Sequence, residues 1–273
     1  MQRILIRGGR RLSGSVKVSG AKNASLPILA ASLLFDGAVV IHEVPRLHDV
    51  EVMKDVLTHL GARVSWVGNS TIKVDAGGVG KTEVPEDLMR SMRASNLVLG
   101  SLLGRAGRAM ISFPGGCNIG LRPMDLHLRG LLQMGARITE VEGYIIAEAP
   151  SLTGADIHLD FPSVGATENL MMAAVLAKGT TNICNVAREP EIVDLQNFLN
   201  SMGAQISGAG TDIIRIRGVK GLHATEYKVI PDRIEAGTHT IAAAITGSEV
   251  TVENVIAGHI DPVIAKLREA GVE

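Results

Sequence analysis

Cys117 lies at the middle of Phe113-Pro114-Gly115-Gly116-Cys117-Asn118-Ile119-Gly120-Leu121-Arg122-Pro123, a stretch with three glycines and two prolines. Glycine frees the backbone and proline restrains it, so the stretch reads as a loop with a shaped path. A thiol in water ionises near pH ~8.5, so Cys117 is mostly protonated at neutral pH unless nearby cations favour the thiolate. Two chemistries follow: an acid that delivers a proton, or a nucleophile that attacks electrophiles. On the loop alone, an incidental cysteine in a surface turn fits equally well. Arg122 offers a planar fork to phosphate or carboxylate. Pro123-Met124-Asp125-Leu126-His127 leads into a helix, where Asp125 can cap the first turn or accept from a ligand N–H.

Three further segments place reactive side chains where helices begin. In Ser19-Gly20-Ala21-Lys22-Asn23-Ala24, Lys22 and Asn23 sit at the positive end of a helix dipole, with Pro27 in an early turn. That is an anion site, although a solvated lysine beside a capping asparagine explains an isolated Ala-Lys-Asn. In Met92-Arg93-Ala94-Ser95, Arg93 occupies the same position in the repeat described below. A helix start prefers carboxylates, so an arginine there calls for a ligand or an acidic partner, against the alternative of a snorkelling surface arginine. In Phe161-Pro162-Ser163-Val164-Gly165-Ala166-Thr167, Ser163 or Thr167 can cap a helix, and the backbone at Val164-Gly165 can meet a flat ring. Capping alone accounts for most of that segment. The histidines show no metal-ligand spacing with one another or with the cysteines. No Walker A loop or dinucleotide-binding glycine pattern is present.

The elements that must hold these residues recur along the chain. Helical segments end at Leu60-Gly61-Ala62, Met134-Gly135-Ala136, Met202-Gly203-Ala204 and Ala270-Gly271, roughly seventy residues apart. Each glycine stands where a helix C-terminus takes a left-handed residue. Small-residue helices open the units, at residues 23–34, 92–103, 166–177 and 235–245. A short strand follows in each, at 39–41, 109–111, 181–183 and 250–252, then the second helix and two strands. Each unit therefore reads helix, strand, helix, strand, strand. The fourth has no paired strands after Gly271, and this reads as a truncated chain or one part of a larger catalytic unit. Leu97, Val98, Leu99, Leu102 and Leu103 cover most of a helical wheel, as do Leu170, Met171, Met172, Val175 and Leu176. Helices apolar on several faces are buried, which places them at the centre with sheets outside.

Composition bounds the rest. The 273 residues are 46% hydrophobic and 20% charged, enough for one or two cored domains. Aromatics are 3%, so the core is built from Leu, Ile, Val, Ala and Met. A net charge of −1 gives no global field for nucleic acid and no basic stretch for a membrane. Met1–Arg7 is too short and too charged for a signal peptide, and no apolar run reaches the ~20 residues of a membrane span. Cys117 and Cys184 form no disulfide framework, which fits a reducing cytoplasm and a free thiol at 117.

Taken together, these motifs resemble the enolpyruvyl transferases over essentially the whole chain. Ser19 to Ala24, Met92 to Ser95, Pro114 to Cys117, Arg122 to His127 and Ser163 to Thr167 carry the likeness, with Ala187 to Asp194 and Leu222 to Glu235. Within the family, the cysteine loop is similar to the branch acting on UDP-N-acetylglucosamine rather than the sister branch acting on shikimate 3-phosphate. The resemblance implies an inside-out α/β barrel built of helix-strand-helix-strand-strand units, six in all and three per domain. It implies one complete domain at 21–229 and part of a second at 1–20 plus 230–273, with the base aspartate and further phosphate-binding arginines in a region beyond this sequence.

The implied reaction moves the enolpyruvyl group of phosphoenolpyruvate to the 3′-hydroxyl of UDP-N-acetylglucosamine, the first committed step of peptidoglycan synthesis. Cys117 is then the proton donor on a closing lid and the thiol alkylated by fosfomycin. Lys22, Asn23 and Arg122 hold phosphoenolpyruvate. Arg93, Arg122, Pro123, Met124, Asp125, Leu126, Ser163 and Val164 line the UDP-sugar site. No metal or organic cofactor is implied, and the partners are these two small molecules, with the remaining part of the same enzyme as a further one. The alternative is an inactive fragment or a non-catalytic nucleotide-sugar binding module.

Overall fold

The structure is a computed structural model that describes residues 3–113 and 124–273. The chain opens with β1 (Ser13–Lys17) and continues with α1 (Lys22–Ala31), β2 (Ala38–His42), α2 (His48–Leu60), β3 (Arg63–Trp66) and β4 (Ile72–Asp75). The second unit holds α3 (Glu86–Ser91), a 3-10 turn (Arg93–Leu97), α4 (Val98–Ala106), β5 (Arg108–Ser112), α5 (Asp125–Gln133), β6 (Arg137–Val141) and β7 (Tyr144–Glu148). Next come β8 (Asp156–His158), α6 (Val164–Val175), β9 (Thr180–Cys184), α7 (Pro190–Ser201), β10 (Gln205–Ser207), β11 (Ile213–Arg217) and β12 (Glu226–Lys228). The chain ends with α8 (Arg233–Ile245), β13 (Glu249–Glu253) and α9 (Asp261–Glu269). None of the helices among the described residues is long and apolar enough to cross a membrane.

The repeat is therefore visible as structure. Gly61, Gly135, Gly203 and Gly271 all take positive φ, from 86° to 109°, where an L side chain would be strained. The expected opening helices are present with shifted starts. The one expected from Met92 begins as a 3-10 turn at Arg93 and becomes α-helical at Val98. Pro27 falls six residues into α1 rather than in its first turn, so the helix lacks one N–H that would pair with the Asn23 carbonyl.

Two compact units separate by contacts, one of residues 22–230 and one of 1–21 with 231–273. In the larger unit, three sheets share one plan. β2 pairs antiparallel with β4, and β4 with β3; β5, β7, β6 and β9, β11, β10 repeat the order. A connecting segment then lies parallel to the first strand of a neighbouring unit: β8 on β9, the Glu83 bridge on Met110, and β12 on β2. The third connector thus returns to the first sheet and closes the ring. The sheets stay separate, each with one face to solvent and one to the helices, as the alternation of β11 and β7 shows.

Inside the ring lie α1, α4 and α6. Ten of the twelve residues of α6 are buried, and eight of the ten of α1. Small residues let α4 and α6 approach closely. A Cβ on Gly100 would stand 2.2 Å from the Asn169 carbonyl oxygen, and one on Gly104 would stand 3.4 Å from that of Met172. At the C-terminal end of the first helical segment, the Arg105 guanidinium donates to the helix-end carbonyls of Leu33 and Phe35 and to the Ala76 carbonyl just after β4.

The smaller unit is sparser. β1 pairs parallel with β13, and α8 and α9 accompany them. Its core is Val18, Ala236 and Ile260, with Val252, Val255, Val263 and Ile264 partly buried against it. Asp232 caps α8 through the N–H groups of Ile234 and Glu235. Only Ala236 and Gly237 of α8 are buried, and Ile245 is 79% exposed.

Candidate active site

Unit starts in the larger domain are where the sequence-derived candidates sit. Lys22 is the first residue of α1, and its Nζ lies 2.9 Å from Asp49 Oδ2 in the first turn of α2. Both partners are about one-third exposed, so the pair holds the lysine in place at little net energy and leaves the ammonium reachable. Asn23 beside it is exposed. A ligand phosphate here would compete with Asp49 for the lysine while facing the positive end of α1.

The second cluster forms where α4, α5 and α6 meet. Arg93 is half-buried at the start of the 3-10 turn, and its charge and that of Asp125 both act on His127. Asp125 begins α5 and pairs with Arg129 one turn on at 3.5 Å. Met124 is buried, and its sulfur accepts from Asn96 Nδ2. Leu126 is half-buried. Ser163 caps α6, its Oγ accepting from the Ala166 N–H at 3.3 Å. Thr167 does not cap. It donates to the Ser163 carbonyl and accepts from the Ala187 N–H, tying α6 to the segment before α7. Val164 and Gly165 form the first turn of α6, and a Cβ on Gly165 would meet the His127 ring at 3.2 Å. Cys117, Arg122 and Pro123 lie outside the described residues.

Sequence reasoning passed over the residues that join this cluster. Asn169, fully buried, accepts from the Gly100 N–H at 2.7 Å and donates to the Asn96 carbonyl and to His127 Nδ1. Burial pushes the His127 imidazole down to about 4, so it is neutral at physiological pH. Glu168, beside it, is driven well above the usual carboxylate range by burial and then by Glu191 and Glu189. The signal was an adjacent Glu-Asn pair inside an otherwise apolar helix, where polar side chains need a reason. No group of metal-ligating side chains able to hold an ion occurs among the described residues.

The arrangement offers helix N-termini, a lysine and an arginine for anions, and a buried floor that includes Met124, His127 and Asn169. It matches known proteins along its length. The family model for EPSP synthase (3-phosphoshikimate 1-carboxyvinyltransferase) covers residues 6–273. The chain belongs to the EPSP synthase family of enolpyruvyl transferases. Among curated members of this family, UDP-N-acetylglucosamine 1-carboxyvinyltransferase 2 of Caldanaerobacter subterraneus is 55% identical over 273 residues, all of this chain and 65% of that protein. UDP-N-acetylglucosamine 1-carboxyvinyltransferase 1 of Symbiobacterium thermophilum is 59% identical, over 99% of this chain and 62% of that protein. The chain thus spans less than two-thirds of these relatives' length. Among solved enolpyruvyl transferases, NikO from Streptomyces tendae aligns with a TM-score of 0.76 at 28% identity, over 87% of this chain and 56% of that one. EPSP synthase of Acinetobacter baumannii aligns at 0.77 and 22% identity, over 97% of this chain and 60% of that one, which speaks to the fold.

Proposed function

We propose that this chain carries the site for transfer of the enolpyruvyl group of phosphoenolpyruvate to the 3′-hydroxyl of UDP-N-acetylglucosamine, in peptidoglycan precursor synthesis. The observation that carries the reading is 55–59% identity across the chain to two relatives bearing that activity in their names. The sequence Pro114-Gly115-Gly116-Cys117 supports it.

In this reading the Cys117 thiol gives its proton to C3 of phosphoenolpyruvate as the sugar oxygen bonds to C2, and the hydroxyl proton passes to a base. The resulting adduct carries a methyl, a carboxylate, a phosphate and the sugar ether on one carbon. Loss of a methyl proton and of phosphate restores the double bond and leaves the enolpyruvyl ether. Lys22, Asn23 and Arg122 hold the phosphate and carboxylate, where fixed cations and helix dipoles stabilise charge without reorganising. Arg93, Arg122, Pro123, Met124, Asp125, Leu126, Ser163 and Val164 hold the nucleotide sugar. Exclusion of water from the reacting atoms protects the adduct. A cytoplasmic setting suits both substrates and the free thiol.

The test is intact-mass analysis after incubation with fosfomycin, with and without UDP-N-acetylglucosamine. A sugar-dependent adduct mapped to Cys117 is expected, with phosphate release in a turnover assay. Nucleotide-sugar binding with neither adduct nor phosphate release would replace this reading with a non-catalytic binding module.

A further inference from the structure

The Asn169 carboxamide can take one orientation only. The Gly100 N–H can only donate, and it faces Oδ1 at 2.7 Å. The Asn96 carbonyl can only accept, and it faces Nδ2 at 3.2 Å. These two backbone groups are four residues apart, the pair that closes one turn of a regular α-helix. The side chain of α6 therefore bridges that turn from outside, at the point where the 3-10 turn becomes α4. The close approach requires Gly100, whose Cβ would meet the Asn169 backbone.

The remaining hydrogen of Nδ2 points to His127 Nδ1 at 3.0 Å. His127 must answer with a lone pair, which puts the ring proton on Nε2. A cationic imidazole would set N–H against N–H, and the low pKa of this buried ring agrees. One amide thus ties together the turn that begins at Arg93, the helix that begins at Asp125 and the helix capped by Ser163. Each segment contributes to the proposed UDP-sugar pocket, and a second contact, from Asn96 Nδ2 to the Met124 sulfur, joins the first of them to the start of α5.

We propose that Asn169 is a positioning residue of the nucleotide-sugar pocket, holding Arg93, Asp125 and Ser163 in register and keeping His127 in its Nε2–H form. The inference rests on the reading of this pocket as a UDP-sugar site. Asn169→Asp is the discriminating variant. It is isosteric and keeps an acceptor for Gly100, but it turns an acceptor toward His127 and Asn96, so it recruits a proton onto Nδ1. The full chain would be examined by two-bond ¹H–¹⁵N spectra of its histidines and by calorimetric titration with UDP-N-acetylglucosamine.

Wild-type His127 is expected as the neutral Nε2–H tautomer at pH 6, and Asn169→Asp is expected to show an Nδ1-protonated ring. The dissociation constant should rise at least tenfold in the folded variant. An Nδ1–H tautomer or an imidazolium in the wild type overturns the proposal without need of any variant. A lower unfolding midpoint with an unchanged dissociation constant overturns it as well, because that is the signature of a purely structural asparagine. A wild type that shows the expected tautomer yet binds no UDP-N-acetylglucosamine overturns the UDP-sugar reading, and the positioning role falls with it.

Discussion

Glu168 has been taken out of water without a cation to pair with it among the described residues, and two glutamates stand near it. Its folded pKa lies well above the ordinary value of 4.5. Between those two values the folded state keeps a proton that the unfolded state releases, so this residue lowers stability as pH rises through the window. Glu168→Gln has no such proton to keep. The variant is expected to unfold at nearly the wild-type temperature at pH 4.5 and several degrees higher at pH 7.5, read by thermal melts across pH. His127 acts in the opposite sense. Its folded pKa of about 4 lies below the ordinary 6.5, so its contribution is present above pH 6.5 and is lost as pH falls through 4. From sequence, the placement of Lys22, Asn23, Arg93, Asp125 and Ser163 at helix starts was legible, because caps and turn residues mark those starts locally. Asn169 and His127 were not, because a polar residue in a helix does not announce which other helix it will touch.

At the scale of elements, the crossing of α4 on α6 separates two kinds of glycine. Gly100→Ala would put a Cβ 2.2 Å from a backbone oxygen of Asn169, and neither helix can yield without disturbing the amide bridge. Overpacking of this kind costs about 2 kcal/mol, more than the ~1 kcal/mol that alanine gains over glycine in a helix. Gly237 lies inside α8 with nothing within 4 Å of an added Cβ. Gly237→Ala is therefore expected to stabilise by up to about 1 kcal/mol. Chemical denaturation of both variants checks the opposite signs; equal effects would show that the helices do not approach as described. Helix existence and the four glycine ends were readable from periodicity and turn chemistry. The 3-10 start at Arg93, which runs into the Asn169 bridge at Asn96 and Gly100, was not.

At the scale of the larger unit, the ring closes through β12, whose partner β2 lies almost two hundred residues earlier. The Tyr227 hydroxyl donates to Asp194 Oδ1 at 2.6 Å, and the Ile230 N–H donates to Asp194 Oδ2, so α7 clamps the closing strand. The Phe198 ring meets Tyr227 edge-on at 5.4 Å. Burial pushes the Asp194 carboxyl up to about 6, against the opposing pull of the Tyr227 hydrogen bond. Tyr227→Phe removes that bond and leaves the ionised carboxylate less satisfied. The expected loss is about 2 kcal/mol at pH 7.5, where Asp194 is charged, and smaller at pH 5, where the proton is retained. Hydrogen exchange should quicken at residues 226–229 before the sheet interiors; uniform exchange would mean the closure is held elsewhere.

The amino-acid sequence by itself determined the repeat, the inward helices and the polar helix starts, because each rests on local chemistry: periodicity, a left-handed glycine, a cap, a dipole. It also carried the family, through motifs that stand together in few other chains. Only the tertiary structure decided that the third connector returns to the first sheet and that Lys22 rests on Asp49. It alone decided that one buried amide joins three helix starts. Those facts depend on contacts between segments far apart in the chain, and the free energy that selects them belongs to packing and hydrogen-bond satisfaction, which no local stretch of sequence contains.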